Sequence, residues 1–176
     1  MKRMQNTQCT LLTFFMDLRD EFRRISAEGR WREHAIALTA STPTNEVASA
    51  FSVFWIEQGH RIREQIEDDK LLVRLLRLML PAYAGPDVEI FRGENKQRWE
   101  LAKVGFAWSP NIEIGRLFAE GLNSVKTGGV LLKAVATPVA IISGPVAHSN
   151  YLGECQFTVD PSLLDDISVV QYFPAL

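Results

Sequence analysis

The order of apolar and polar positions divides the chain into a helical half and a strand-rich half. From about Leu11 to Glu28 the apolar residues Leu12, Phe15, Phe22 and Ile25 recur among Asp17, Arg19, Asp20, Glu21, Arg23 and Arg24, a spacing that lays one apolar stripe along a helix stopped by Gly29. Trp31 to Thr39 is too short and mixed to assign. Ser41-Thr-Pro-Thr-Asn45 is a breaker cluster, with Asn45 placed to cap the next helix. Val47, Ala50, Phe51, Phe54 and Trp55 repeat at three and four and predict a helix over Glu46–Gly59. Ile62, Ile66, Leu71, Leu72, Leu75, Leu76 and Met79 predict a further helix over Arg61–Leu80, closed by Pro81, whose charge run is its solvated face.

Beyond Pro86 short apolar runs alternate with glycine and proline, which predicts strands at Val88–Phe91, Gly105–Trp108, Gly129–Val135, Val139–Ile142, Gln156–Val159 and Ser168–Phe173. One helix, Ile112–Glu120, interrupts them, with Gly121 as its end. Helices followed by strands predict an α+β fold, with a helical region over 1–85 packed on a mostly antiparallel β-rich core over 86–176.

Composition narrows the partners. With 176 residues, 47% of them hydrophobic, the chain has enough apolar surface for a sizeable core. Nineteen basic against 21 acidic side chains leave a net charge of −2, so no global basic field points to nucleic acid. Two cysteines far apart, Cys9 and Cys155, fit a reducing compartment, and three scattered histidines suggest no metal site. The N-terminus reads as no signal peptide, and no run of about 18 apolar residues predicts a membrane span. A cytoplasmic protein without membrane partners is therefore expected.

Candidate chemistry gathers in the second half. Phe91-Arg92-Gly93 ends an apolar run with a fixed cation beside a residue that lets backbone come close. Gly105-Phe-Ala-Trp-Ser-Pro-Asn111 leads into a helix bearing Leu117-Phe-Ala119, then comes Gly129-Val-Leu-Leu-Lys-Ala-Val135, and Gly153-Glu-Cys-Gln-Phe-Thr-Val-Asp-Pro161 stands late in the chain. In this order the motifs resemble the ADP-ribosyltransferase fold over about residues 86–173. Within it they resemble the arginine–serine–glutamate class of bacterial and phage type.

The resemblance implies two split sheets around an NAD cleft, NAD as substrate, cleavage of its nicotinamide–ribose bond, and transfer of ADP-ribose to a macromolecular acceptor, most simply a protein. Carried over by motif, Arg92 and Gly93 would anchor the dinucleotide, Ser109 would orient the strand or the nicotinamide ribose, and Trp108 and Phe118 would line the cofactor site. Glu154 and Gln156 stand in the acidic motif. The residues have plainer readings too: Arg92 as a surface ion-pair partner, Ser109 as a turn or cap residue, Glu154 as a solvated turn residue, and Trp108, Phe106, Phe118 and Phe91 as core.

One departure matters. The class places its catalytic glutamate second in Glu-any-Glu or Gln-any-Glu, and here that frame sets Gln156 in the position and Glu154 two residues before it. A glutamine hydrogen-bonds but carries no charge to set against a developing cation. On a strand the two side chains would share a face, so Glu154 can serve in its place, with Cys155 pointing to the core. Two other classes stay open beside the enzyme: a catalytically impaired NAD-binding module, and a protein-interaction module that uses the fold as a frame.

Overall fold

The computed structural model describes residues 17–176, in two compact units, one ending at Leu80 and the other running from Pro81 to Leu176. The described residues form an α+β protein with two small antiparallel sheets and no barrel.

The first unit holds α1 (17–27), α2 (Trp31–Thr39), α3 (Asn45–Ile66) and α4 (Asp69–Met79). Leu12 and Phe15 lie outside the described residues, but Phe22 and Ile25 of the same stripe are buried. The Trp31–Thr39 stretch, too mixed to assign by spacing, is helical because Trp31 is wholly buried among Phe22, Phe51 and Phe54, with ring centroids 5.7 to 6.0 Å apart.

The helix break expected at Gly59 is absent, and α3 runs through it to Ile66. A Cβ at Gly59 would sit 3.1 Å from the Trp55 ring, so this glycine makes room for an aromatic one turn back. The chain turns instead at Glu67, which takes a left-handed conformation at φ 52°, and Asp68 restarts the helix by accepting the Leu71 N–H at 3.0 Å. The cap of α3 is Thr44, which accepts the Val47 N–H, and Asn45 is already helical.

The second unit alternates strands with short helices: β1 (Val88–Asn95), α5 (Lys96–Glu100), β2 (Ala107–Trp108), α6 (Ile112–Glu120), β3 (Gly129–Ala136), β4 (Ile141–Ser143), α7 (Ala147–Tyr151), β5 (Phe157–Val159) and β6 (Ser168–Phe173). One sheet has the order β1-β3-β6 and the other β2-β5-β4, with every pairing antiparallel. Ile90, Val130, Leu132 and Ala134 of the first sheet pack with Trp108, Ile141, Phe157 and Val159 of the second, so the main core of the unit lies between the sheets.

The opposite face of the first sheet, bearing Phe91 and Leu131, is covered by α6. This approach is unusually close. A Cβ on Gly93 would run into the backbone of Gly115, Phe118 and Ala119, and one on Gly129 into the Ala119 carbonyl. Gly93 does admit backbone, as the Arg-Gly pair suggested, but the backbone admitted is that of α6.

The strand bounds shift for identifiable reasons. β1 continues four residues past Phe91 because the charged Glu94 is buried with partners rather than solvated. β2 loses Gly105, whose N–H and C=O bond side chains instead of a neighbouring strand, and Phe106, which keeps one bond to β5 by accepting the Val159 N–H at 2.8 Å. β4 starts at Ile141 because Ala140 and Ile141 both donate to the Thr137 carbonyl, closing a turn there. The five-residue helices α5 and α7 lacked any periodic signal in sequence.

Candidate functional site

Three distant stretches meet where the middle of β1 bridges the segment that follows β2. Phe91 and Ser109 exchange both backbone hydrogen bonds, 2.7 and 2.9 Å, in an isolated bridge that joins β1 to the segment after β2. The Ser109 hydroxyl then donates to the Glu154 carbonyl at 2.9 Å and accepts the Asn111 N–H at 3.2 Å. Ser109 is thus buried and fully engaged, fastening the loop before β5 to the start of α6. The arginine, serine and glutamate stretches are brought together.

Arg92 is mostly buried, on the opposite face of β1 from α6. Its Nε donates to Glu94 Oε2 at 2.9 Å and its Nη1 to the Ala107 carbonyl, while Nη2 lies against Gly105. Gly105 has to lack a Cβ, because one would collide with the guanidinium.

Glu94 is the residue that sequence reasoning missed. Its carboxylate, 1% exposed, accepts Arg92 Nε and the Gly105 N–H on Oε2, accepts the Asn95 N–H on Oε1, and has Arg98 Nε 3.2 Å from Oε1. Burial alone pushes its pKa up, but the two guanidinium charges and the hydrogen bonds outweigh that, and the group is held below the ordinary glutamate range. A signal was present in sequence: on a strand, Glu94 shares the face of Arg92, so Arg-Gly-Glu already sets opposite charges side by side.

Glu154 and Gln156 do not share a face. Cys155 between them adopts φ 45°, which breaks strand alternation, and β5 begins only at Phe157. Glu154 is partly exposed while Gln156 is buried at 8% exposure, and Cys155 is half-buried rather than core. Partial burial raises the Glu154 pKa, with the charge of nearby His148 acting against it.

The aromatic residues divide between core and helix. Trp108, 2% exposed, packs between the sheets with its indole N–H bonded to the Gly105 carbonyl at 3.0 Å, so its ring faces are core and not a stacking wall. Phe118 sits half-buried on α6, across β1 from the Arg92 guanidinium, and is not brought to the same place. Among the described residues, no group of three or more His, Cys, Asp or Glu side chains is placed to hold a metal ion, and no helix is long and apolar enough to cross a membrane.

Comparison with protein-family models, with curated proteins and with solved structures gives no match for this chain.

Proposed function

We propose that residues 81–176 form an ADP-ribosyltransferase-like core that takes NAD as substrate, breaks its nicotinamide–ribose bond and passes ADP-ribose to a macromolecular acceptor, a protein in the first instance. The observation that supports this reading best is the hydrogen bond from Ser109 to the Glu154 carbonyl. It joins, with the Phe91–Ser109 bridge, three motifs that stand far apart in sequence and keep the order of the arginine–serine–glutamate class.

In this reading Arg92 faces the phosphates and Glu154 supplies the negative charge. The glycosidic electron pair leaves with nicotinamide, and positive charge grows on the ribose carbon and ring oxygen. An ionised Glu154 bonded to a ribose hydroxyl offsets that charge. The acceptor then donates a lone pair to the ribose carbon and releases a proton. Ser109 acts by holding the loop that carries Glu154, since its hydroxyl is already committed to the backbone.

A second reading, an NAD-binding or protein-binding module without turnover, is favoured by two observations: the buried Gln156 at the family's acid position, and the pairing of Arg92 with Glu94. Nicotinamide release by the purified protein, with Arg92→Ala and Glu154→Gln beside it, separates the two. Release that both substitutions abolish is the expected result. Calorimetric NAD binding without release establishes the NAD-binding form of the second reading, and neither release nor binding removes every NAD reading and leaves only the protein-binding module.

A further inference from the structure

We infer that Arg98 is a second cation of the phosphate-binding site, held beside Arg92 by their shared partner Glu94, so that the two guanidiniums together receive the pyrophosphate of the dinucleotide. This rests on the reading of the Arg92–Ser109–Glu154 region as an NAD site.

The geometry supplies the first argument. Two guanidiniums converge on one carboxylate, Arg92 Nε at 2.9 Å from Oε2 and Arg98 Nε at 3.2 Å from Oε1, which leaves the cluster with one surplus positive charge. Neither arginine is exhausted by its protein partners. Arg92 donates through Nε and Nη1, and Arg98 through Nη2 to the Lys103 carbonyl at 3.2 Å, while Arg98 Nε lies 3.2 Å from Glu94 Oε1 as an ion pair without a hydrogen bond, so no protein acceptor takes Arg92 Nη2 or Arg98 Nη1. Arg98 is partly exposed, so a ligand can reach it. A diphosphate offers paired oxygens that suit two fixed forks better than flexible ammonium groups.

Charge distribution supplies the second. Residues 81–176 carry seven basic side chains (Arg92, Lys96, Arg98, Lys103, Arg116, Lys126, Lys133) against ten acidic ones, a net of −3. Within residues 92–103 the balance reverses: Arg92, Lys96, Arg98 and Lys103 against Glu94 and Glu100 give +2. A local positive patch on an acidic unit attracts anions to it.

The test is calorimetric binding of inorganic pyrophosphate, ADP-ribose and NAD to wild type, Arg98→Ala, Arg98→Gln and Arg92→Ala, with the melting temperature of each protein recorded. Loss of one charge-assisted contact weakens pyrophosphate and ADP-ribose binding by about tenfold in either Arg98 variant. Nicotinamide, which has no phosphate, serves as the control ligand. If Arg98→Ala fails to fold, Arg98→Gln carries the measurement, since it keeps the length and loses the charge. Absence of pyrophosphate binding in wild type, or unchanged affinity in Arg98→Gln, overturns the inference and leaves Arg98 as a structural partner of Glu94. The two readings fail separately. Arg98-dependent pyrophosphate binding without NAD binding or cleavage sustains the phosphate site and removes the transferase reading, whereas nicotinamide release with an NAD KM indifferent to Arg98 does the reverse.

Discussion

Glu94→Gln should cost the second unit about 3 kcal/mol at neutral pH, because a buried charge that answers two guanidiniums is expensive to remove from one side only. The substitution keeps shape and volume, so packing terms nearly cancel. If the amide oxygen takes the Oε2 side, it still accepts Arg92 Nε and the Gly105 N–H, both at 2.9 Å in the native protein. The amide NH2 then faces the Asn95 N–H and Arg98, and donors oppose donors. An orphaned buried N–H costs about 1–3 kcal/mol, and the loss of the charge weakens what remains of the arginine contacts. Arg98 is partly solvated, which keeps the total below the upper end for buried pairs.

The assay is urea denaturation monitored by fluorescence and circular dichroism. With a slope of about 2 kcal/mol per molar, the midpoint of the affected transition falls by roughly 1.5 M. Acid provides an internal check. The folded-state pKa of Glu94 lies below its unfolded value, so the carboxylate's contribution is fully present above the ordinary glutamate range near 4.5 and is lost as pH falls through the folded pKa. The gap between wild type and variant should therefore be widest at neutral pH, narrow as pH falls below 4.5, and close only below the lowered folded pKa, where both proteins carry a neutral side chain at position 94. A midpoint shift under about 0.5 M at neutral pH, roughly 1 kcal/mol at that slope, would refute the reasoning, as would a gap that persists unchanged in acid.

The same geometry sets four further outcomes. Gly93→Ala should destabilise by about 3 kcal/mol or prevent folding, since its Cβ meets only backbone of α6, and a thermal melt within a degree or two of wild type would show that the helix can move away. Asn95→Ala removes the cap that accepts the Gln97 and Arg98 N–H groups and the donor to the Asn123 carbonyl; a loss of about 1–2 kcal/mol in urea is expected, with a loss below about 0.5 kcal/mol counting against it. Nicotinamide release, where it occurs, should decline in acid with a midpoint above 4.5, because partial burial raises the Glu154 pKa and the charged form is the useful one; a midpoint at or below that of a free glutamate would point to another acid. Gln156→Glu should lower stability and leave nicotinamide release no faster, because the new carboxylate would be buried without a charged partner; a gain in release would move the catalytic role from Glu154 to position 156.

The fold was legible where periodicity was uninterrupted. Helix α6 falls at the bounds its spacing predicts, Ile112–Glu120, and among the described residues every strand follows the four helices of the first unit, although short helices interrupt the strands. Gly59 misled because glycine marks a helix end only when the backbone needs a left-handed turn. Here the Trp55 ring needed the space, and the turn fell to Glu67. The end of β1 was hidden for a different reason. A glutamate reads as solvent-facing in sequence, and only the meeting of Arg92, Arg98 and the Gly105 N–H, up to 11 residues away, makes its burial tolerable.

The same distinction bears on the candidate site. Motif order groups Arg92, Ser109 and Glu154, and the Phe91–Ser109 backbone bridge with the Ser109 hydroxyl on the Glu154 carbonyl brings the stretches carrying them together. Side-chain roles did not carry over as simply. Strand alternation would have made Glu154 and Gln156 interchangeable, but a left-handed Cys155 turns one toward solvent and the other inward. A catalytic carboxylate has to be reachable by substrate and stay ionised. Glu154 meets the first condition, and the nearby His148 works against the effect of burial on the second. Gln156 offers neither charge nor access, so under the proposed transferase reading the carboxylate set against the ribose is Glu154 and not the side chain at position 156.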